Sequence, residues 1–91
     1  MYAVIYTAKM AKGVKRVIKR GKDISKLDTV IDLLSTGNPL PERYHDHALK
    51  GNWAGCRECH IEPDWLLVYE VYEDALVILA TRTGTHSDIF G

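Results

Sequence analysis

No stretch of the 91 residues approaches the ~20 consecutive apolar positions that a bilayer-crossing helix needs, so a membrane-spanning segment is excluded. The start, Met1-Tyr2-Ala3-Val4-Ile5-Tyr6, lacks the basic residues, long apolar run and small-residue cleavage site of a secretory signal. A protein that stays in the cytoplasm is therefore expected, with its two cysteines reduced. Repeats, low-complexity runs and linkers are also missing, so residues 1–91 read as a single domain with no room for a second. A chain this short buries only roughly two-thirds of its unfolded surface. Its 46% hydrophobic content still supports a folded core rather than a disordered segment.

Net charge is absent as well: 12 Lys and Arg balance 12 Asp and Glu, which taken whole argues against a polyanionic partner. The distribution reverses that reading. Lys9, Lys12, Lys15, Arg16, Lys19, Arg20 and Lys22 precede the first acid, Asp23. From residue 57 onward only Arg57 and Arg82 stand against Glu58, Glu62, Asp64, Glu70, Glu73, Asp74 and Asp88. One basic element beside an acidic sheet can bind RNA while the whole chain looks neutral. The alternative is that these cations only solvate an exposed helix face.

Tyr2 to Tyr6 alternates and reads as a short strand. Thr7 offers a cap to a first helix with Met10, Val14, Val17 and Ile18 as its apolar stripe, ended by Gly21; Gly13 in its interior weakens it. Asp23 caps a second helix carrying Ile24, Leu27, Ile31 and Leu34, stopped by Thr36-Gly37-Asn38-Pro39. Leu40 to Trp53 is a polar, histidine-bearing loop. Three strands follow, over residues 54–61, 65–72 and 75–82, turning at Pro63-Asp64 and Glu73-Asp74, and residues 83–91 form a tail. The order β-α-α-β-β-β implies an α+β fold, with the N-terminal strand and two helices packed on a small antiparallel sheet and one face left partly open.

All four histidines, His45, His47, His60 and His86, fall in the second half, around the ends of these strands. His60 and Asp64 flank the Pro63 turn and are neighbours in any meander. Imidazoles titrate near neutrality and can supply both a general base and a general acid. One group can deprotonate a ribose 2′-OH, another protonate the leaving 5′-oxygen, while cations stabilise the phosphate. Taken singly, each histidine is more often a surface or capping residue. Cys56-Arg57-Glu58-Cys59-His60 matches the CxxCH pattern of covalent haem attachment and the start of many zinc sites. Haem attachment needs an export route that the chain does not show. In a strand, moreover, residues three apart point to opposite faces, so one metal cannot readily join both thiols. Two reduced structural cysteines, one on each side of a strand, is the favoured reading.

The stretches 40–53, 55–69 and 82–90 carry three motifs in order: Asp46-His47-Ala48-Leu49-Lys50-Gly51, His60-Ile61-Glu62-Pro63-Asp64-Trp65 and Arg82-Thr83-Gly84-Thr85-His86-Ser87. From about Leu40 to the end the chain strongly resembles the YafQ branch of the RelE toxin superfamily. Before Leu40 only the layout agrees. The resemblance implies a RelE-like fold and a ribosome-dependent, metal-independent mRNA endonuclease, without cofactors and silenced by a cognate antitoxin. It implies His47, His60, Asp64 and His86 as the catalytic group and Phe90 as an aromatic that stacks on a base. Arg57, Arg82, Trp65 and Lys50 become candidates for holding RNA; Arg57 and Arg82 could equally brace the sheet, and core packing explains Trp65 at least as well. His45 falls outside the motif position and reads as surface.

Three alternatives stand beside this. A ParE-type toxin shares the fold, binds DNA gyrase and cuts no RNA. A decayed toxin, kept only as an antitoxin partner, fits poorly with motifs that are all present. A metal or haem protein would work through Cys56 to His60. No DNA-reading motif appears, so contact with DNA is expected only through the antitoxin. Toxins of this superfamily are usually strongly basic, and the neutral balance leaves ribosome docking to the first helix.

Overall fold

The computed structural model covers residues 1–91. Its elements are β1 (Ala3–Tyr6), α1 (Ala8–Lys19), α2 (Ile24–Ser35), β2 (His47–Ala48), β3 (Arg57–Glu62), β4 (Trp65–Tyr72), β5 (Val77–Gly84) and α3 (His86–Phe90). Thr7 caps α1 by accepting the Met10 N–H at 3.0 Å, and its hydroxyl donates to the Thr81 carbonyl, tying the helix start to β5. Asp23 caps α2 through the Ser25 N–H at 3.0 Å. No helix is long and apolar enough to cross a membrane.

The strands form one sheet in the order β1-β5-β4-β3-β2. β1 is not packed on this sheet, as the sequence implied, but belongs to it, pairing parallel to β5 from Ala3↔Val77 to Tyr6↔Ala80. All other pairings are antiparallel, so the sheet is mixed. The first meander strand starts later than expected, because the turn at Gly51–Trp53 and the positive φ of Gly55 keep residues 51–56 out of the ladder. Likewise β5 begins at Val77, after a turn in which Leu76 takes φ 51°.

α1 and α2 cover one face. Met10, Val17, Leu27, Val30 and Leu34 meet Cys59, Trp65, Leu67, Tyr69, Ile78 and Ala80 there in the main core. Ile18, expected in the α1 stripe, is 52% exposed, because it lies about 100° around the helix from buried Val17. On the other face, Leu66 and Val68 are covered by Ile89 of α3, with Leu49, Trp53, Cys56 and Phe90 around them. Cover on both faces at β4 explains the unbroken apolar run Trp65-Leu66-Leu67-Val68-Tyr69, whereas the second face stays open along β2, where His47 is exposed.

The ending is therefore not a loose tail. Thr85 caps α3 and forms a reciprocal box with Asp88: the Asp88 N–H donates to Thr85 Oγ1 at 3.1 Å, and the Thr85 N–H to the Asp88 carboxylate at 2.8 Å. Arg20 grips both Asp88 oxygens and holds its carboxyl well below the usual carboxylate range. The free Cys56 and Cys59 serve opposite faces, as strand spacing predicts.

A candidate RNA-cleaving site on the open face

β3 alternates. Arg57, Cys59 and Ile61 turn to the helix side; Glu58 and His60 turn to the other. His47 pairs with Glu58 across β2 and β3, so it joins that second face. There the His47 and His60 rings lie 6.2 Å apart, and His47 Nε2 sits 3.0 Å from the Glu58 carboxylate. His47 Nδ1–H donates to the His45 carbonyl at 2.7 Å. With acceptors at both ring nitrogens, His47 makes both bonds only when it carries two protons. His60 Nδ1–H donates to the Pro63 carbonyl at 3.2 Å, which leaves Nε2 as the free lone pair.

The β3–β4 turn connects this cluster to α3. Asp64 accepts the His86 backbone N–H at 2.9 Å, so its carboxylate places the helix that carries His86. The exposed His86 ring lies 4.9 Å from Phe90, and Phe90 stands edge-on to Trp53 at 5.0 Å. Arg82 stacks over Trp53 at 5.2 Å, and no acid pairs with it. With Lys9, Lys12 and Arg16 of α1 it lines a cleft of about 240 Å³ bordered by Asp88 and Ile89. That cleft has the charge to hold a phosphate chain.

Of the residues singled out in the sequence, the structure brings His47 and His60 together and sets Asp64, His86, Phe90 and Arg82 along the same face. It does not bring Trp65 or Arg57 there. Trp65 is 1% exposed on the helix side, where its indole N–H donates to Thr83 Oγ1, so it has no ring face to offer a base. Arg57 lies on the far side of β3, spent on Asp46 at 3.0 Å. Lys50 is exposed beyond β2 and shares in none of these contacts. Two residues join the site that sequence reasoning passed over. Glu58, only 6% exposed, lies two positions before His60, the strand spacing for one face. His45 is a surface residue whose ring nonetheless meets His60 at 5.8 Å.

His47, Glu58 and His60 each present a ligand atom, all within 4.8 Å of one another, so the cluster can also hold a divalent cation. The two cysteines cannot hold one together. Cys59 is sealed in the core, where burial pushes its thiol up to about 12, and Cys56 turns to the other side of the sheet.

This arrangement, a mixed sheet backed by two helices with histidines on its open face, is that of a small toxin domain. Residues 2–91 match the family described as bacterial toxin of type II toxin–antitoxin system, YafQ, and the chain belongs to it. It is 44% identical over 87 residues to the mRNA interferase toxin YafQ of Escherichia coli K12, covering 94% of this chain and 92% of that one. The metal-bound toxin from Helicobacter pylori superposes with a TM-score of 0.92 at 38% identity, over 99% of this chain and 100% of that one. YafQ in the E. coli DinJ–YafQ complex superposes with a TM-score of 0.88 at 38% identity, over the whole of both chains.

Proposed function

We propose that this chain is an mRNA endonuclease that cuts its substrate on the ribosome without a metal, using the open-face histidines, and that a cognate antitoxin silences it in the cytoplasm. The observation that carries the reading is the placement of His47, Glu58 and His60 on the same face as exposed His86 and half-buried Phe90, next to the cleft of Lys9, Lys12, Arg16 and Arg82. The antitoxin follows from the relative that is found with DinJ.

In this mechanism His60 Nε2, its other nitrogen tied to Pro63, takes the ribose 2′-OH proton. The 2′-oxygen attacks phosphorus and the bond to the 5′-oxygen breaks. His86 gives that oxygen its proton, and Asp64 holds His86 in place through the backbone. Doubly protonated His47, steadied by Glu58, offsets the charge that builds on the phosphoryl oxygens, as does Arg82. Phe90 stacks on a base exposed beside the cut. The products carry a 2′,3′-cyclic phosphate and a 5′-hydroxyl.

A translating extract with the purified chain tests this, with 5′ ends mapped for wild type and for the His60→Ala, His86→Ala double variant. In-frame cuts with 5′-hydroxyl ends, lost in the double variant, are expected. Equal cutting by the double variant would overturn the site. No cuts in the extract, together with inhibition of gyrase supercoiling by the purified chain, would move the chain to the gyrase-binding class.

A further inference from the structure

His45, Asp46 and His47, at the edge of the sheet, send side chains to both of its faces. His45 takes a left-handed backbone conformation, φ 49° and ψ 42°, which turns the chain sharply just before β2. His45 and His47 then face His60, while the side chain of Asp46 passes to the helix side. There both carboxylate oxygens are taken. One accepts from Arg57 Nη2 at 3.0 Å and Nε at 3.3 Å, the other from the Tyr69 hydroxyl at 2.5 Å. Arg57 and Tyr69 are themselves cross-strand partners on β3 and β4, so the carboxylate is bolted to the middle of the sheet.

Such bolting is needed. β2 is only two residues long, and at the edge of the sheet its pairing runs from His47↔Glu58 and Ala48↔Arg57 to one last bond, the Leu49 N–H on the Cys56 carbonyl at 2.9 Å. A two-residue edge strand frays and cannot by itself hold an imidazole within bonding distance of Glu58. Charge points the same way. A third carboxylate on the histidine face, beside those of Glu58 and Asp64, would add repulsion toward a phosphate, whereas Asp46 is neutralised by Arg57 behind the sheet.

We propose that Asp46, Arg57 and Tyr69 form a positioning clamp that fixes His47 against Glu58 from the back of the sheet. The proposal rests on the open face being the nuclease site. Arg57 thereby acts on the reaction without touching RNA.

The test measures kcat and KM for cleavage of one message in the translating extract. Asp46→Asn and Arg57→Lys are each made in the wild-type and in the His47→Ala background. Asn keeps the shape of Asp46 and Lys keeps the charge of Arg57, but neither keeps the forked ion pair. In the wild-type background each is expected to lower kcat by about 10- to 100-fold, the usual cost of a misplaced catalytic group, with KM unchanged. In the His47→Ala background neither should slow cleavage further, because the group they position is gone. In Asp46→Asn the NMR signal of the His47 ring should move while that of His86 stays, and thermal melting should show both variants folded. Effects that multiply across the two backgrounds would make the network a plain brace and overturn the proposal. So would Asp46→Asn cutting at the wild-type rate while His47→Ala is slow; the clamp alone then falls. Full cleavage by His47→Ala would remove the reading of the site and the clamp together.

Discussion

Replacing Gly13 by Ala sets helix propensity against packing, and the geometry decides which wins. In an exposed helix interior the change gains about 1 kcal/mol, since Gly is the poorer helix former. Here an added Cβ would lie 2.4 Å from the Thr83 carbonyl oxygen and 3.2 Å from the Thr83 methyl. That oxygen is backbone in β5, so it cannot swing aside. Ordinary contact begins near 3.4 Å, so α1 must retreat by about 1 Å, enough to forfeit a quarter to a half of each dispersion contact along the seam. Met10 and Val17, 0% and 2% exposed on the same helix face, lose contacts with it. Overpacking of this kind costs about 1–3 kcal/mol, and two backbones that cannot yield put this site toward the top of the range. Net destabilisation of about 2 kcal/mol is expected, or roughly 8–16 °C in Tm for a domain of this size. Ala11→Gly, on the exposed side of the same helix, gauges the propensity alone and should cost about 1 kcal/mol. A Gly13→Ala protein melting at or above the wild type would refute the argument.

Asp88→Ala removes both half of the capping box and the Arg20 pair, about 1–2 kcal/mol of local stability, and a five-residue helix does not persist alone. Amides of residues 86–91 should exchange faster and cleavage should fall further than Tm; unchanged exchange would dismiss the anchor. Because the Asp88 carboxyl is held below its ordinary value near 3.8, its contribution is complete above that pH and fades as pH falls below it. Protection in α3, taken relative to the intrinsic amide exchange rate at each pH, should thus be flat from neutrality to about pH 5 and fall in stronger acid, and a fall already near pH 6 would contradict the pairing. A disulfide reagent should label one thiol, Cys56, with Cys59 reacting only on unfolding, since Cys59 is 0% exposed and its thiol is raised by burial; two equal phases would be inconsistent with the two-faced placement. Zinc should slow cleavage by tying up His47, Glu58 and His60, and a chelator should restore it. Loss of cleavage in chelator would instead make the metal part of the chemistry.

Periodicity revealed the helices because their caps and stripes are local: Thr7, Asp23 and the Leu27–Leu34 spacing need no partner to be read. The parallel seat of β1 beside β5 was not legible, because it joins Tyr6 to Ala80 across most of the chain and no local signal specifies the pairing. The short α3 escaped for a related reason. Five residues carry no helical period, and what stabilises them is tertiary: Arg20 reaching Asp88 from α1 and the packing of Ile89 on Leu66 and Val68. The site itself shows the sharper lesson. The motifs pointed to residue types, whereas the face each occupies is set by alternation along β3. The rule that separates Cys56 from Cys59 also separates Arg57 from His60, three residues apart, and unites Glu58 with His60, two apart. Applied to the whole strand, spacing alone puts Arg57 behind the sheet and Glu58 on the face of the histidines. Trp65 could not be resolved this way. It lies in a run buried on both sides, where alternation leaves no polar trace, and only the register bonding its indole to Thr83 shows which way it points.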